Sequence, residues 1–252
     1  MRARYHGAVE HIEGIVFAGS ACRLAFGAGV AAAFAEHGRV LPLAAGASSG
    51  SLVAAAVAAG RAKELPSALR KLGDRSIVSW RRLLHNRSPF DMSTLVREAI
   101  VDFFGDCDLR RAPGEALCTA TRLPTLDRLV FSSRQEPSFL LPMLGSCFFP
   151  LLYGRTIRYA GSLLLDGGAR DNVPIAPLVA RGVRRIFVVV PNADGTAVRR
   201  LGHRGWRPEH PGAELTIIAP ARPLPLRSWE LDRHRLDDAI AEGYRAGRRV
   251  LS

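Results

Sequence analysis

The 252-residue sequence predicts a single α/β domain, with a mainly parallel sheet covered by helices on both faces. Three observations predict it. Short runs such as GIVFA, RIFVVV and ELTIIA are apolar throughout, as strands buried on both faces are, rather than alternating. Between such runs lie helix-like blocks rich in Ala and Leu, residues that favour helix. Hydrophobic residues make up 48% of the chain and no linker divides it, so residues 1–252 read as one domain with a large core.

The elements are expected in this order. Residues 14–18 (GIVFA) form a first strand, and 27–36 (GAGVAAAFAE) a helix ended by His37-Gly38. A second strand, 40–45 (VLPLAA), leads towards Ser48, and a helix runs from about residue 51 to Gly60, with helical segments to about residue 72. An Arg-rich connection, SWRRLLHNRSPFD (79–91), precedes an amphipathic helix at 92–104, where Leu95, Ala99, Ile100 and Phe103 share one face. Short strands are expected at 118–120 and 128–131. Residues 159–165 (YAGSLLL) read as one strand that stops at Asp166-Gly167-Gly168. Residues 185–190 and 214–219 are two further buried strands, and LDDAIAEGYRAGRRVL (236–251) closes the domain as a helix. No repeat interrupts this order.

Charge and composition narrow the partners. The formal net charge is +12, and of 35 basic residues only Lys63 and Lys71 are lysines. Arginines thicken late, in RRLGHRGWR (199–207) and RAGRR (245–249). Such a face is either simply solvated or meets an anionic membrane surface. Nucleic acid is not expected, because aromatics are 7% of the chain and never alternate with Arg as a base-stacking platform requires. No apolar stretch has the length of a membrane span, and MRARYHGAVEHIEG at the start lacks the apolar core of a secretory signal. Cys22, Cys107, Cys118 and Cys147 show neither C-x-x-C pairing nor zinc spacing. The expectation is a cytoplasmic protein with free thiols, either fully solvated or peripheral at a membrane, and with no metal or organic cofactor.

Two glycine-rich stretches compete for the chemistry. Gly27-Ala28-Gly29-Val30-Ala31-Ala32 fits the G-x-G-x-x-A dinucleotide pattern, but those glycines lie well beyond the first strand instead of in the turn after it. No Asp or Glu falls between His37 and Lys63 to hold a ribose. The nicotinamide reading fails. Gly46-Ala47-Ser48-Ser49-Gly50 is G-x-S-x-G in a strand-to-helix turn, which presents a serine at the apex beside the unpaired N–H groups of a helix start. A helix capped by Ser48 or Ser49 would leave the same spacing.

A serine nucleophile needs a base and an oxyanion site. Gly19-Ser20-Ala21-Cys22-Arg23-Leu24, between the first strand and its helix, is a loop of mostly small residues suited to presenting N–H groups. None of the seven histidines has a strand-end, glycine-flanked setting; Asp166, followed by Gly167 and Gly168, has it. A half-buried carboxylate there has a raised pKa, as a general base needs. An ordinary Asp-Gly turn is the plainer alternative, and Asp171-Asn172-Val173-Pro174 reads as its continuation.

Together GSACRL, GASSG and DGGARDNVPI resemble the patatin-like phospholipase family, and SCFFP (146–150) looks like the segment preceding that family's Asp strand. The resemblance covers most of the chain. It implies a three-layer α/β/α sandwich, with Ser48 as nucleophile and Asp166 as base in a dyad without histidine. It further implies backbone donors at Gly19, Ser20 and Ala21, with Gly46, Gly50, Arg23, Gly167 and Gly168 as supporting positions. The substrate implied is a lipid or other acyl ester. The family's oxyanion loop reads G-G-G-x-[RK]-G; here Gly19 and Arg23 match, whereas Ser20, Ala21 and Leu24 do not. Two other readings stay open: a patatin-type protein that binds lipid or a partner without turnover, and an esterase with a Ser-Asp-His triad.

Overall fold

The structure, a computed structural model, describes residues 12–73, 75, 92–105, 107–149 and 157–252. The Arg-rich connection at 79–91, the first eleven residues, Pro150 and the Leu95 side chain lie outside the described residues.

Eight strands form one sheet: β1 (Glu13–Phe17), β2 (Leu43–Ala47), β3 (Glu115–Leu123), β4 (Arg128–Ser132), β5 (Ile157–Tyr159), β6 (Ser162–Leu165), β7 (Arg185–Val189) and β8 (Glu214–Ile218). Five of them, in the order β3-β2-β1-β7-β8, are parallel. β4 and β6 pair antiparallel with β3, and β5 with β6. β6 joins at Thr121 to Leu123, beyond Thr119, where pairing with β2 stops. That step brings the end of β6, and hence Asp166, towards the turn that follows β2.

The helices are α1 (Leu24–Glu36), α2 (Ser49–Ala58), α3 (Leu65–Arg70), α4 (Met92–Phe104), α5 (Leu140–Ser146), α6 (Ile175–Val179) and α7 (Arg233–Leu251). The strands face two cores. Along β1, Ile15 and Phe17 join the larger cluster with α1, α2 and α7, while Val16 and Ala18 join a smaller one with Ile175 and Leu178 of α6. Continuous apolar strands are therefore buried on both sides, as their composition requires. The fold is a three-layer α/β/α sandwich with one thick and one thin helical layer.

Two expectations are corrected. The segment 159–165 is no single strand: it turns back at Ala160 and Gly161, whose φ values are 47° and 74°, so that β5 and β6 form a hairpin. Two positive φ values are what a two-residue hairpin turn needs, but Ala-Gly does not advertise it. The helix expected at 27–36 begins three residues earlier, after a 3-10 turn at Ala21–Arg23. Gly27 and Gly29 therefore lie inside α1. Gly29 marks the crossing with α7, since a Cβ there would lie 2.0 Å from the Ile240 carbonyl oxygen. No helix among the described residues is long and apolar enough to cross a membrane.

Candidate active site

Ser48 occupies the one-residue joint between β2 and α2, with φ 50° and ψ −134°. A side-chain-bearing residue in that region costs roughly 1–3 kcal/mol and needs surroundings that hold it. They are present. The Ser48 N–H donates to Ser146 Oγ (2.7 Å), and its carbonyl accepts from Ser51 Oγ (2.6 Å) and from the Ser51 N–H (2.9 Å). Ser48 stands at the N-cap position of α2, yet its side chain makes no capping bond. The hydroxyl is thus left for other chemistry. Both flanking glycines are required by close approach: a Cβ on Gly46 would lie 2.3 Å from the Gly50 carbonyl, and one on Gly50 would lie 2.3 Å from the Phe17 carbonyl oxygen.

Asp166 follows the last residue of β6. Its N–H donates to the Phe148 carbonyl (2.8 Å), and its carbonyl accepts from Thr121 Oγ1 (2.9 Å), so its backbone is pinned on two sides. A 3-10 turn at Gly167–Ala169 continues from it, and the Gly168 N–H donates to Asp166 Oδ1 (2.7 Å). Protein packed around the carboxyl pushes its pKa up to about 6, against the opposing pull of the nearby Ser48 hydroxyl and the Gly168 N–H. Desolvation therefore dominates. Ser48 and Asp166, 118 residues apart in sequence, meet at one cavity.

The loop after β1 is held at Gly19 by Asn172. The Gly19 N–H donates to the Asn172 carbonyl (3.1 Å), while Asn172 Nδ2 donates back to the Gly19 carbonyl (3.0 Å). The Ser20 N–H donates to Ser49 Oγ (3.2 Å), the Cys22 N–H to the Ser228 carbonyl (2.9 Å), and the Arg23 N–H to the Ser20 carbonyl (3.2 Å). Of the three donors expected, Gly19 and Ser20 are already engaged, and Ala21 alone has no acceptor among the described residues. Bracing the loop against Asn172 and α2 engages two of its N–H groups. Ala21 has φ 51°, a conformation glycine adopts freely and alanine does not. Ser49, first residue of α2, supplies a second N–H lacking an intrahelical acceptor. Arg23 donates from Nη1 to Asn192 Oδ1 (3.1 Å), and burial lowers its pKa.

The cavity holding Ser48 and Asp166 has a volume of about 110 Å³, with Leu24, Leu52, Leu72, Phe149 and Leu231 in its walls. A second cavity of about 240 Å³ shares Leu24, Leu52, Leu69, Leu72 and Ala99 with it. Ala21 and half-exposed Trp229 stand at the first cavity too. Cys22 lines it as well, but burial raises its thiol to about 11, so it stays protonated. No histidine among the described residues lines it.

Sequence reasoning missed the residues that brace the site. Fully buried Ser146 accepts from the Ser48 N–H and donates to the Thr119 carbonyl (2.6 Å), tying the serine turn to β3. Thr119 Oγ1 donates to the Asp171 carbonyl (3.0 Å), fixing the far end of the Asp166 turn. The available signal was polar residues inside apolar runs, Ser146 before CFF and Asn172 before VPI; buried polar atoms need partners.

A model of the patatin-like phospholipase family matches residues 15–179. In three dimensions the chain is similar to VipD from Legionella pneumophila, with a TM-score of 0.51 and 12% identity over 96% of this chain and 67% of that one. At that identity the likeness concerns the fold. No curated protein matches the sequence.

Proposed function

The chain belongs to the patatin-like phospholipase family, and from that premise we propose that it is a lipid acyl hydrolase of the phospholipase A or lysophospholipase type. The observation that carries the reading is the convergence of Ser48 and Asp166 on one largely apolar cavity. Ser48 Oγ attacks the ester carbonyl carbon while Asp166 takes the hydroxyl proton. The tetrahedral oxyanion is met by the N–H groups of Ala21 and Ser49. The alcohol leaves with the proton from Asp166, and the acyl group stays on Ser48. Water, deprotonated by Asp166, then releases the fatty acid. The acyl chain lies along Leu24, Leu52 and Leu72, whose walls continue into the second cavity. The Arg-rich surface favours an anionic lipid interface.

A non-hydrolytic, lipid-binding protein is the second reading, favoured by Ala21 at a left-handed position and by the engaged Gly19 and Ser20 N–H groups. Turnover of p-nitrophenyl acyl esters and of a phospholipid separates the two. Hydrolysis by the wild type, abolished by Ser48→Ala and Asp166→Asn and kept by His203→Gln, His210→Gln and His234→Gln, is expected. Absence of turnover in the wild type would favour binding. Loss of activity in one folded histidine variant would favour a triad.

A further inference from the structure

The Arg-rich stretch RRLGHRGWR has no part in the site above, yet it is folded. Residues 197–206 form a small hairpin, with Ala197 bridged to Trp206 and Arg200 to His203. The hairpin is tied down by the Asn172 N–H donating to the Arg199 carbonyl (2.9 Å) and the Leu201 N–H donating to the Ala169 carbonyl (3.1 Å). It forms one wall of a cavity of about 720 Å³ that shares no lining residue with the Ser48 cavity. Val173 and Ile175 also line it, which places it on the thin-layer side of the sheet.

The charges there are unevenly matched. Arg128, Arg170, Arg199 and Arg200 all line the cavity. Its carboxylates are Asp127, Asp171 and Glu209. Asp171 is taken by Arg128 (2.9 Å), and Asp127 accepts from Thr125 Oγ1 (2.7 Å) with Arg122 at 4.0 Å. Glu209 alone is left against Arg170, Arg199 and Arg200, none of which has a carboxylate partner among the described residues. Arg199 stacks on the Trp206 ring, its guanidinium carbon 5.1 Å from the centroid, which holds it in place. Trp206 Nε1 is buried with no acceptor among the described residues. His210 Nδ1 accepts from the Gly212 N–H (3.1 Å), so a neutral imidazole carries its proton on Nε2 and is a further donor.

We propose that this cavity binds a phosphate-bearing ligand, a second site separate from the Ser48 chemistry. Guanidiniums match phosphate oxygens in a bidentate way, and here they are mounted on a wall already fixed by backbone hydrogen bonds. The phosphate is either that of a soluble phosphate ester or that of a lipid headgroup.

The test uses the full chain with two kinds of probe. Glycerol 3-phosphate is titrated by calorimetry, and phosphatidylcholine vesicles with and without phosphatidic acid are used in sedimentation. Arg170→Gln/Arg200→Gln is compared with Arg222→Gln/Arg227→Gln, which removes the same charge from exposed positions elsewhere; Arg200→Gln alone repeats the test with the smallest change. Binding in the first arm assigns a soluble ester, and binding confined to phosphatidic acid vesicles assigns a headgroup. In either case a loss of roughly tenfold is expected in Arg170→Gln/Arg200→Gln only. Ser48→Ala should bind as the wild type does, which keeps this result independent of the hydrolase reading. No phosphate-dependent binding in either arm, or an equal loss in the Arg222/Arg227 variant, would overturn the proposal.

Discussion

Asp166 carries opposing demands. Its carboxyl has a pKa of about 6 in the fold against 3.8 in the open chain, so the folded state holds its proton more tightly. Stability from this group is therefore greatest below pH 3.8, declines as pH rises through 3.8 to 6, and stays reduced above. Hydrolysis needs the opposite, the ionised form, and activity should rise through about pH 6 to a plateau. Asp166→Asn should consequently be inactive yet more stable than the wild type at pH 8, by roughly 1–3 kcal/mol, with the difference shrinking towards pH 4. Thermal melts by circular dichroism at the two pH values check this; a variant that melts lower at pH 8 contradicts it. Ala21 poses a different conflict, since its φ of 51° costs an alanine roughly 1–2 kcal/mol. Ala21→Gly should gain about 0.5–1 kcal/mol net of the flexibility it adds to the unfolded chain, with kcat unchanged or higher. A lower melting temperature would show that the alanine methyl contributes packing that outweighs the strain.

At the scale of elements, the strands were legible because their burial on both faces writes an unbroken apolar run. The strand-to-helix joint at Ser48 was legible because Gly46 and Gly50 are sterically required there. The β5–β6 hairpin was not, because Ala160 adopts its positive φ without the Asn or Asp that marks such turns. Nor were the bonds of Ser146 and Asn172, which join segments distant in sequence. The glycines of α1 were legible only as a misleading motif; Gly29 is there for the packing of α1 on α7, whereas Gly27 faces Phe17 of β1 and Val53 of α2. A Cβ on Gly243 would lie 1.9 Å from the Phe26 carbonyl oxygen, backbone that cannot rotate aside. Helix propensity alone makes Gly243→Ala stabilising by about 1 kcal/mol. Overpacking between the helices reverses the sign, to a loss of roughly 1–3 kcal/mol. Urea unfolding of the variant decides between them, and a gain in midpoint would contradict the close-packed crossing.

For the whole molecule, the net charge is +12, and half-exposed Trp229 stands at the Ser48 cavity, features that the proposed encounter with a lipid surface would use. Sedimentation should be greater with phosphatidylserine-containing vesicles than with phosphatidylcholine alone, and should weaken as salt screens the arginines. Equal binding to both vesicle types would reduce the charge to a solvated face. The central claim is that Ser48, activated by Asp166, is the nucleophile of a patatin-like hydrolase. Labelling the pure protein with a fluorophosphonate and locating the adduct by mass spectrometry tests it most directly. One phosphonylated residue, Ser48, is expected, with labelling lost in Ser48→Ala and slowed by orders of magnitude in folded Asp166→Asn. An adduct on another residue, or labelling of Asp166→Asn at the wild-type rate, would contradict it.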